Sequence, residues 1–154
     1  FALVSVIPDN LQIEEEVLIE NKLYLFGNQA QRDEHKPLIY REQGSATRTA
    51  MEKYFNEHQG KQRKQFELTS NEAVKQAVIA GLGYSIMPLI GIQNELLNEQ
   101  LHVLEAEGLP IKTQWRLIWL KGKKLSPISE AYLQFLRLEK EKILKSEFDW
   151  YLKY

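Results

Sequence analysis

Hydrophobic residues fall along this chain in short continuous runs, broken by polar, turn-forming stretches, with helical periodicity in some of the gaps. Runs of strand length bounded by turn residues mark strands buried in an α/β sheet. The opening run, Ala2–Ile7, stops at Pro8-Asp9-Asn10 and reads as a buried strand of the parallel kind. Gln12–Glu16 is acidic and reads as loop. Val17–Phe26 is a long extended passage with a polar interruption at Glu20-Asn21-Lys22, and residues 28–36 are a polar loop. A strand over Leu38–Tyr40 leads to a helix over Ser45–His58, where Ala50, Met51, Tyr54 and Phe55 share one face. Gln59–Lys64 is a basic, solvated stop.

A strand over Phe66–Leu68 precedes a helix over Asn71–Ala80, apolar at Val74, Ala77, Val78 and Leu82, with Ser70 as its N-cap and Glu72 in the first turn. Gly81 and Gly83 end that helix and turn the chain into a strand over Tyr84–Met87. A short helix over Leu89–Asn98, a strand over Leu101–Leu104, a turn at Gly108-Leu109-Pro110 and a strongly apolar strand over Thr113–Leu120 follow. Ser126-Pro127 has the cap-then-proline signature of a helix start, and that helix should bury Ile128, Tyr132, Phe135 and Leu136. The aromatic tail Phe148–Tyr154 should pack on the domain or on a partner chain. Strands alternating with helices predict a largely parallel sheet. The two extended passages on either side of the central block predict two lobes joined by two strands.

One device occurs twice in that block. An apolar strand runs into a polar, helix-capping turn at Pro37–Arg48 and again at Phe66–Val74. Turns of this kind leave hydroxyls and free backbone N–H groups at the carboxyl edge of a sheet, where open α/β folds bind ligands and where helix starts favour anions. The first copy supplies Gln43, Gly44 and Ser45; the second supplies Thr69, Ser70 and Asn71. A cap contributes about 1 kcal/mol and uses one of three such residues, which leaves the others for a ligand. Met87 and Pro88 end a strand on the same edge, and Ser5 is a lone hydroxyl in an apolar strand that needs a partner.

Composition narrows the function. The 154 residues carry a formal net charge of -1, so no basic field draws this chain to nucleic acid or anionic membrane. No cysteine is present, which excludes disulfides and thiolate metal sites. No apolar run approaches the ~18–20 residues of a spanning helix. His35, His58 and His102 have no metal-ligand spacing, and no phosphate loop, nucleophile elbow or zinc-protease motif is present. Glu14, Glu15 and Glu16 read as a solvated run, and the basic run Lys61–Lys64 as a solvated turn. The expectation is therefore a binding module without cofactor or metal, and not an enzyme.

The segment Glu42-Gln43-Gly44-Ser45-Ala46-Thr47-Arg48 and the segment from Glu67 to Pro88, with its Ala80-Gly81-Leu82-Gly83 turn, resemble the effector-binding domain of LysR-type transcriptional regulators. Leu3–Pro8 resembles the family strand that enters the ligand cleft. The resemblance implies a two-lobed, periplasmic-binding-protein-like α/β fold. Residues 13–110 would form the complete second lobe, and residues 1–10 and 113–154 parts of an incomplete first lobe. An opening inside a core strand also reads as a piece of a longer protein, with DNA binding in an N-terminal part outside this sequence.

What the resemblance further implies is a small, anionic effector held at Ser5, Gln43–Ser45, Thr69–Asn71, Met87 and Pro88, and a cytoplasmic homo-oligomer, dimer or tetramer, with the Ser126–Leu144 helix at the dimer interface. An extracytoplasmic solute-binding protein shares the same two-lobed cleft, and sequence upstream of Phe1 distinguishes the two.

Overall fold

Both extended passages are strands, and each runs through a boundary between two units. The computed structural model describes residues 1–33, 35–58 and 64–154. Its chain divides into one unit of Asn21–Thr113 and another of Phe1–Glu20 with Gln114–Tyr154. In chain order the strands are β1 (Ala2–Val4), β2 (Ile13–Gly27), β3 (Leu38–Arg41), β4 (Gln65–Leu68), β5 (Ser85–Pro88), β6 (His102–Leu104) and β7 (Ile111–Leu120). The helices are α1 (Ala46–His58), α2 (Asn71–Ile79), α3 (Gln93–Leu97) and α4 (Pro127–Glu147), with short 3-10 turns at Leu89–Gly91 and Asp149–Lys153.

In the Asn21–Thr113 unit, β3 and β4 pair in parallel, with Leu38 opposite Gln65 and Arg41 opposite Leu68. A parallel bridge between Leu38 and Tyr84 brings β5 alongside β3 in the same direction. β2 then runs antiparallel to both β5 and β6. The sheet is thus mixed rather than largely parallel. A strand that enters from another unit is not bound to its neighbours by a helical crossover, so it is free to run against them.

Helix α1 buries Met51, Tyr54 and Phe55, as its apolar stripe requires, against Leu23, Leu25, Leu38, Tyr40, Tyr84 and Ile86. Each fully buried side chain of this size contributes roughly 1.5–3 kcal/mol. Helix α2 buries Val74 and Val78. It ends when the N–H groups of Gly81 and Leu82 bond to the carbonyls of Val78 and Ala77, with Gly81 at φ +77, the paired bonds of a glycine C-terminal cap. The same turn carries Leu82 outward to 58% exposure, against its expected place on the buried face.

In the other unit, β1 pairs antiparallel with β7 and is the last strand of its sheet. The expected buried strand Ala2–Ile7 is therefore shorter, antiparallel and exposed, with Leu3 57% and Val6 61% accessible. An edge position leaves one side of such a strand uncovered. β7 lies between β1 and β2, and its Leu117 and Trp119, on one face, are buried together with Leu133 of α4.

The acidic segment expected as loop is the start of β2, and its carboxylates are partnered rather than solvated. Trp119 Nε1 donates to Glu14 at 2.7 Å, Arg116 lies 3.2 Å from Glu15, and Glu16 accepts from Lys140 at 2.8 Å and Arg137 at 3.0 Å. These last contacts set the rotation of α4. Leu133, Leu136, Arg137 and Lys140 recur at i, i+3, i+4 and i+7, one stripe of a helix. Leu133 is buried on Leu117 and Trp119. The expected face is turned outward: Ile128, Tyr132 and Phe135 are exposed, and of that set only Leu136 packs on this cluster. Ser126 caps α4 by accepting from Ser129 N–H at 3.2 Å. The aromatic tail packs through Tyr151, which is buried.

Candidate functional site

The parallel register of β3 and β4 sets their last residues, Arg41 and Leu68, side by side. The turns that follow, Glu42–Ser45 and Thr69–Asn71, therefore leave the sheet at one edge, and Pro88 ends β5 on that edge. Six of the sequence-predicted residues, Gln43, Gly44, Ser45, Thr69, Ser70 and Asn71, are brought to adjacent turns in this way.

Ser70 serves as the N-cap of α2, in extended backbone, its Oγ accepting from Ala73 N–H at 3.0 Å. Ser45 starts α1 with its carbonyl, which accepts from Thr49 N–H at 3.0 Å. Gln43, Thr69 and Asn71 are exposed. Gly44 sits at φ +87 with no atom within 4 Å of where a Cβ would stand, so its backbone can be approached closely. Met87, by contrast, is buried, and its side chain belongs to the interior, while Pro88 is half-buried. Ser5 lies in the other unit, half-buried at a bend just past β1.

Two arginines, Arg41 and Arg48, also stand on this edge, outside the polar turns that the strand-to-helix pattern marks. Arg41 donates through Nε and Nη2 to the Glu42 carboxylate, both at 2.7 Å, and through Nη1 to Asn71 Oδ1. It thereby ties the two turns together. Arg48 donates to Glu52 at 2.7 Å, to Glu67, and to the Arg41 carbonyl at 2.9 Å, with its guanidinium 5.6 Å from the Tyr40 ring centroid. The Arg41 contact holds the Glu42 carboxyl below its ordinary value, and the Glu52 and Glu67 carboxylates raise Arg48. The available signal was the Arg41-Glu42 pair directly at a strand end, next to a glycine turn.

An open cavity of about 520 Å³ lies in the same unit, lined by residues including Tyr24, Leu104, Glu105, Glu107 and Leu109. None of the predicted residues borders it. Cavity size and polar convergence thus point to different places, and the convergence of donors on Arg41 and Asn71 is the better guide to recognition, because specificity rests on placed polar groups. Among the described residues no cluster could hold a metal ion, and no helix is long and apolar enough to cross a membrane. The run Lys61–Lys64 falls outside the described residues except for Lys64.

The family model of the LysR substrate binding domain matches residues 3–140. The chain belongs to this family. Among relatives of LysR domains with known sequence, it is 38% identical over 140 residues to the HTH-type transcriptional activator CmpR of Synechocystis sp., covering 84% of this chain and 46% of that protein. It is 38% identical over 148 residues to the RuBisCO operon transcriptional regulator of Allochromatium vinosum, covering 89% and 49%. The chain thus spans about half the length of these relatives. Among solved LysR structures, the Synechocystis CcmR regulatory domain in complex with 2-PG superposes with a TM-score of 0.77 at 28% identity, over 87% of this chain and 70% of that one. Full-length HypT from Salmonella typhimurium superposes with a TM-score of 0.77 at 23% identity, over 90% and 51%, and shares the fold. The fold is therefore the two-lobed, periplasmic-binding-protein-like α/β fold of LysR regulatory domains. The relatives are transcriptional regulators, not extracytoplasmic solute-binding proteins.

Proposed function

We propose that this chain is the effector-sensing part of a cytoplasmic LysR-type transcriptional regulator, and that the carboxyl edge of β3 and β4 is where it meets a small anionic metabolite. The observation that carries the reading is the convergence of Gln43–Ser45 and Thr69–Asn71, tied by Arg41, on one edge of one unit. The 2-PG bound by the Synechocystis regulatory domain is a small anion of the kind such donors recognise. Residues Asn21–Thr113 correspond in this reading to the second lobe, the other unit to part of the first. Ser5 is a separate candidate contact in that unit; Met87 shapes the edge from within, and Pro88 forms a wall.

The effector acts by preferring one conformation of the regulator over another, since a ligand shifts an equilibrium only by its differential affinity. Operator binding resides in a helix-turn-helix part beyond this sequence, and no step of the reading is catalytic. The exposed apolar stripe of α4 meets a second copy in a homo-oligomer.

Titration of the full-length regulator with 2-PG and a panel of small carboxylic and phosphorylated acids tests the site. Thr69→Val removes a hydroxyl without touching the Ser70 cap, and an acid bound at this edge then binds about tenfold more weakly, the loss of one hydrogen bond. Unchanged affinity for an acid that binds the parent would refute the placement.

A further inference from the structure

The two nitrogens of Arg41 that face Glu42 are engaged as a fork, at 2.7 Å each, by one carboxylate. This is the geometry in which a guanidinium recognises a free carboxylate or phosphate. The partner here is the next residue in the chain. Neighbouring residues of a strand point to opposite faces, so the pair exists only because β3 ends at Arg41 and the chain turns over Glu42–Ser45. The third nitrogen reaches Asn71, which places the guanidinium between the two candidate turns.

The Arg41 side chain is 17% exposed and that of Glu42 34%, so the carboxylate is the solvent-facing half of the pair. A bidentate pair is stronger than an ordinary surface ion pair, so a ligand displaces Glu42 only by offering the fork an equally charged, two-oxygen acceptor. Besides Arg41, the Glu42 carboxylate is bonded by its own backbone N–H, whereas Arg41 is held from a second side by Asn71.

We propose that Glu42 is a tethered stand-in for the effector: its carboxylate occupies the Arg41 fork in the empty protein and is displaced by the anionic group of the ligand. The inference rests on the carboxyl-edge reading and deepens it by naming the anion's partner and its built-in competitor. It makes Arg41 the residue that selects for a carboxylate or phosphate, and Glu42 the residue that sets how much ligand is needed. Displacement also frees Glu42 to swing out of the turn that Gly44 completes at φ +87, so occupancy of the fork is coupled to the shape of the Glu42–Ser45 turn.

The test is a titration of the full-length regulator with 2-PG, and with inorganic phosphate as a second probe, on four proteins: the parent, Glu42→Gln, Arg41→Gln with Glu42→Gln, and Glu72→Gln. Glu72 lies in the first turn of α2 and bonds Lys75 and Gln76 rather than Arg41, so its removal reports the general gain from deleting a nearby negative charge. The expected result is binding tightened about three- to tenfold in Glu42→Gln, by less in Glu72→Gln, with the gain lost in the Arg41 double variant. Equal gains in Glu42→Gln and Glu72→Gln, or a gain that survives loss of Arg41, overturn the stand-in while leaving the Thr69 result and the edge reading untouched. Binding of neither probe to the parent or to Glu42→Gln overturns both.

Discussion

The side-chain amide of Asn21 donates to Thr113 Oγ1 at 2.9 Å, joining two strands ninety-two positions apart in the sequence. These are the first and last residues of one unit, the points at which the chain enters and leaves it. Asn21 is 3% exposed, and its Oδ1 has no hydrogen-bond partner. Removing Thr113 Oγ1 leaves a buried amide unpaired at both ends, which costs about 1–3 kcal/mol. Thr113→Val should lower the unfolding free energy in urea by that amount, read as the shift in midpoint times the m-value, and adding Asn21→Leu should recover part of the loss. A double variant destabilised by the sum of Thr113→Val and Asn21→Leu measured singly would show that the pair is not a coupled unit.

Gly83 is held by its surroundings rather than by its backbone angle. A Cβ there would stand 2.4 Å from the Pro37 carbonyl oxygen, and that oxygen already accepts from Tyr84 N–H at 2.9 Å, one of two backbone bonds that join the strands here, the other running from Ile39 N–H to the Tyr84 carbonyl at 2.8 Å. The clash is with backbone, so relief must break the strand junction. Gly83→Ala should cost about 3 kcal/mol or more, whereas Gly44→Ala, with open space around it, should cost only the strain of its positive φ. Chemical denaturation of the two variants gives the comparison.

Glu16 fixes the acid side of stability for α4. Bonds from Lys140 and Arg137 hold its carboxyl below the ordinary 4.5. A carboxylate with a lowered folded value stabilises above its unfolded value and loses that contribution as pH falls through the folded one. The parent should therefore be more stable than Glu16→Gln at pH 6, with the gap closing below pH 4.5. Melting temperatures of both proteins from neutral to acid pH check this. A gap that is constant with pH would mean that packing, not charge, is responsible.

The outward stripe of α4 carries Ile128 at 83% and Phe135 at 52% exposure. Ile128→Lys with Phe135→Glu should lower the oligomeric state of the full-length regulator in sedimentation, with stability falling only as far as the lost association accounts for. Unchanged assembly would place the subunit contact elsewhere.

Local signals were legible from the sequence; pairings were not. The caps at Ser70 and Ser126, the glycine stop at Gly81 and the stripe of Met51, Tyr54 and Phe55 depend on residues within a few positions of one another, and each stands where the pattern put it. The buried face of α4 is not legible locally because the helix's rotation depends on Glu16, more than a hundred positions away. For the same reason Glu14–Glu16 looked like a solvated run, when their partners come from β7 and α4. The direction of β2 could not be read because no local residue encodes whether a crossing strand meets its neighbours in parallel. At the candidate site, the turns were visible as strand-to-helix junctions. The bond from Arg41 to Asn71 that ties them was not, since it depends on the register of β3 with β4.

A crystal structure of the full-length regulator soaked with the tightest-binding acid of the panel tests the central claim most directly. The account predicts density for that acid against Arg41, Gln43–Ser45 and Thr69–Asn71, with Glu42 turned away from the guanidinium. Density instead in the cavity beside Tyr24 and Glu105, with the Arg41–Glu42 fork intact, would contradict it.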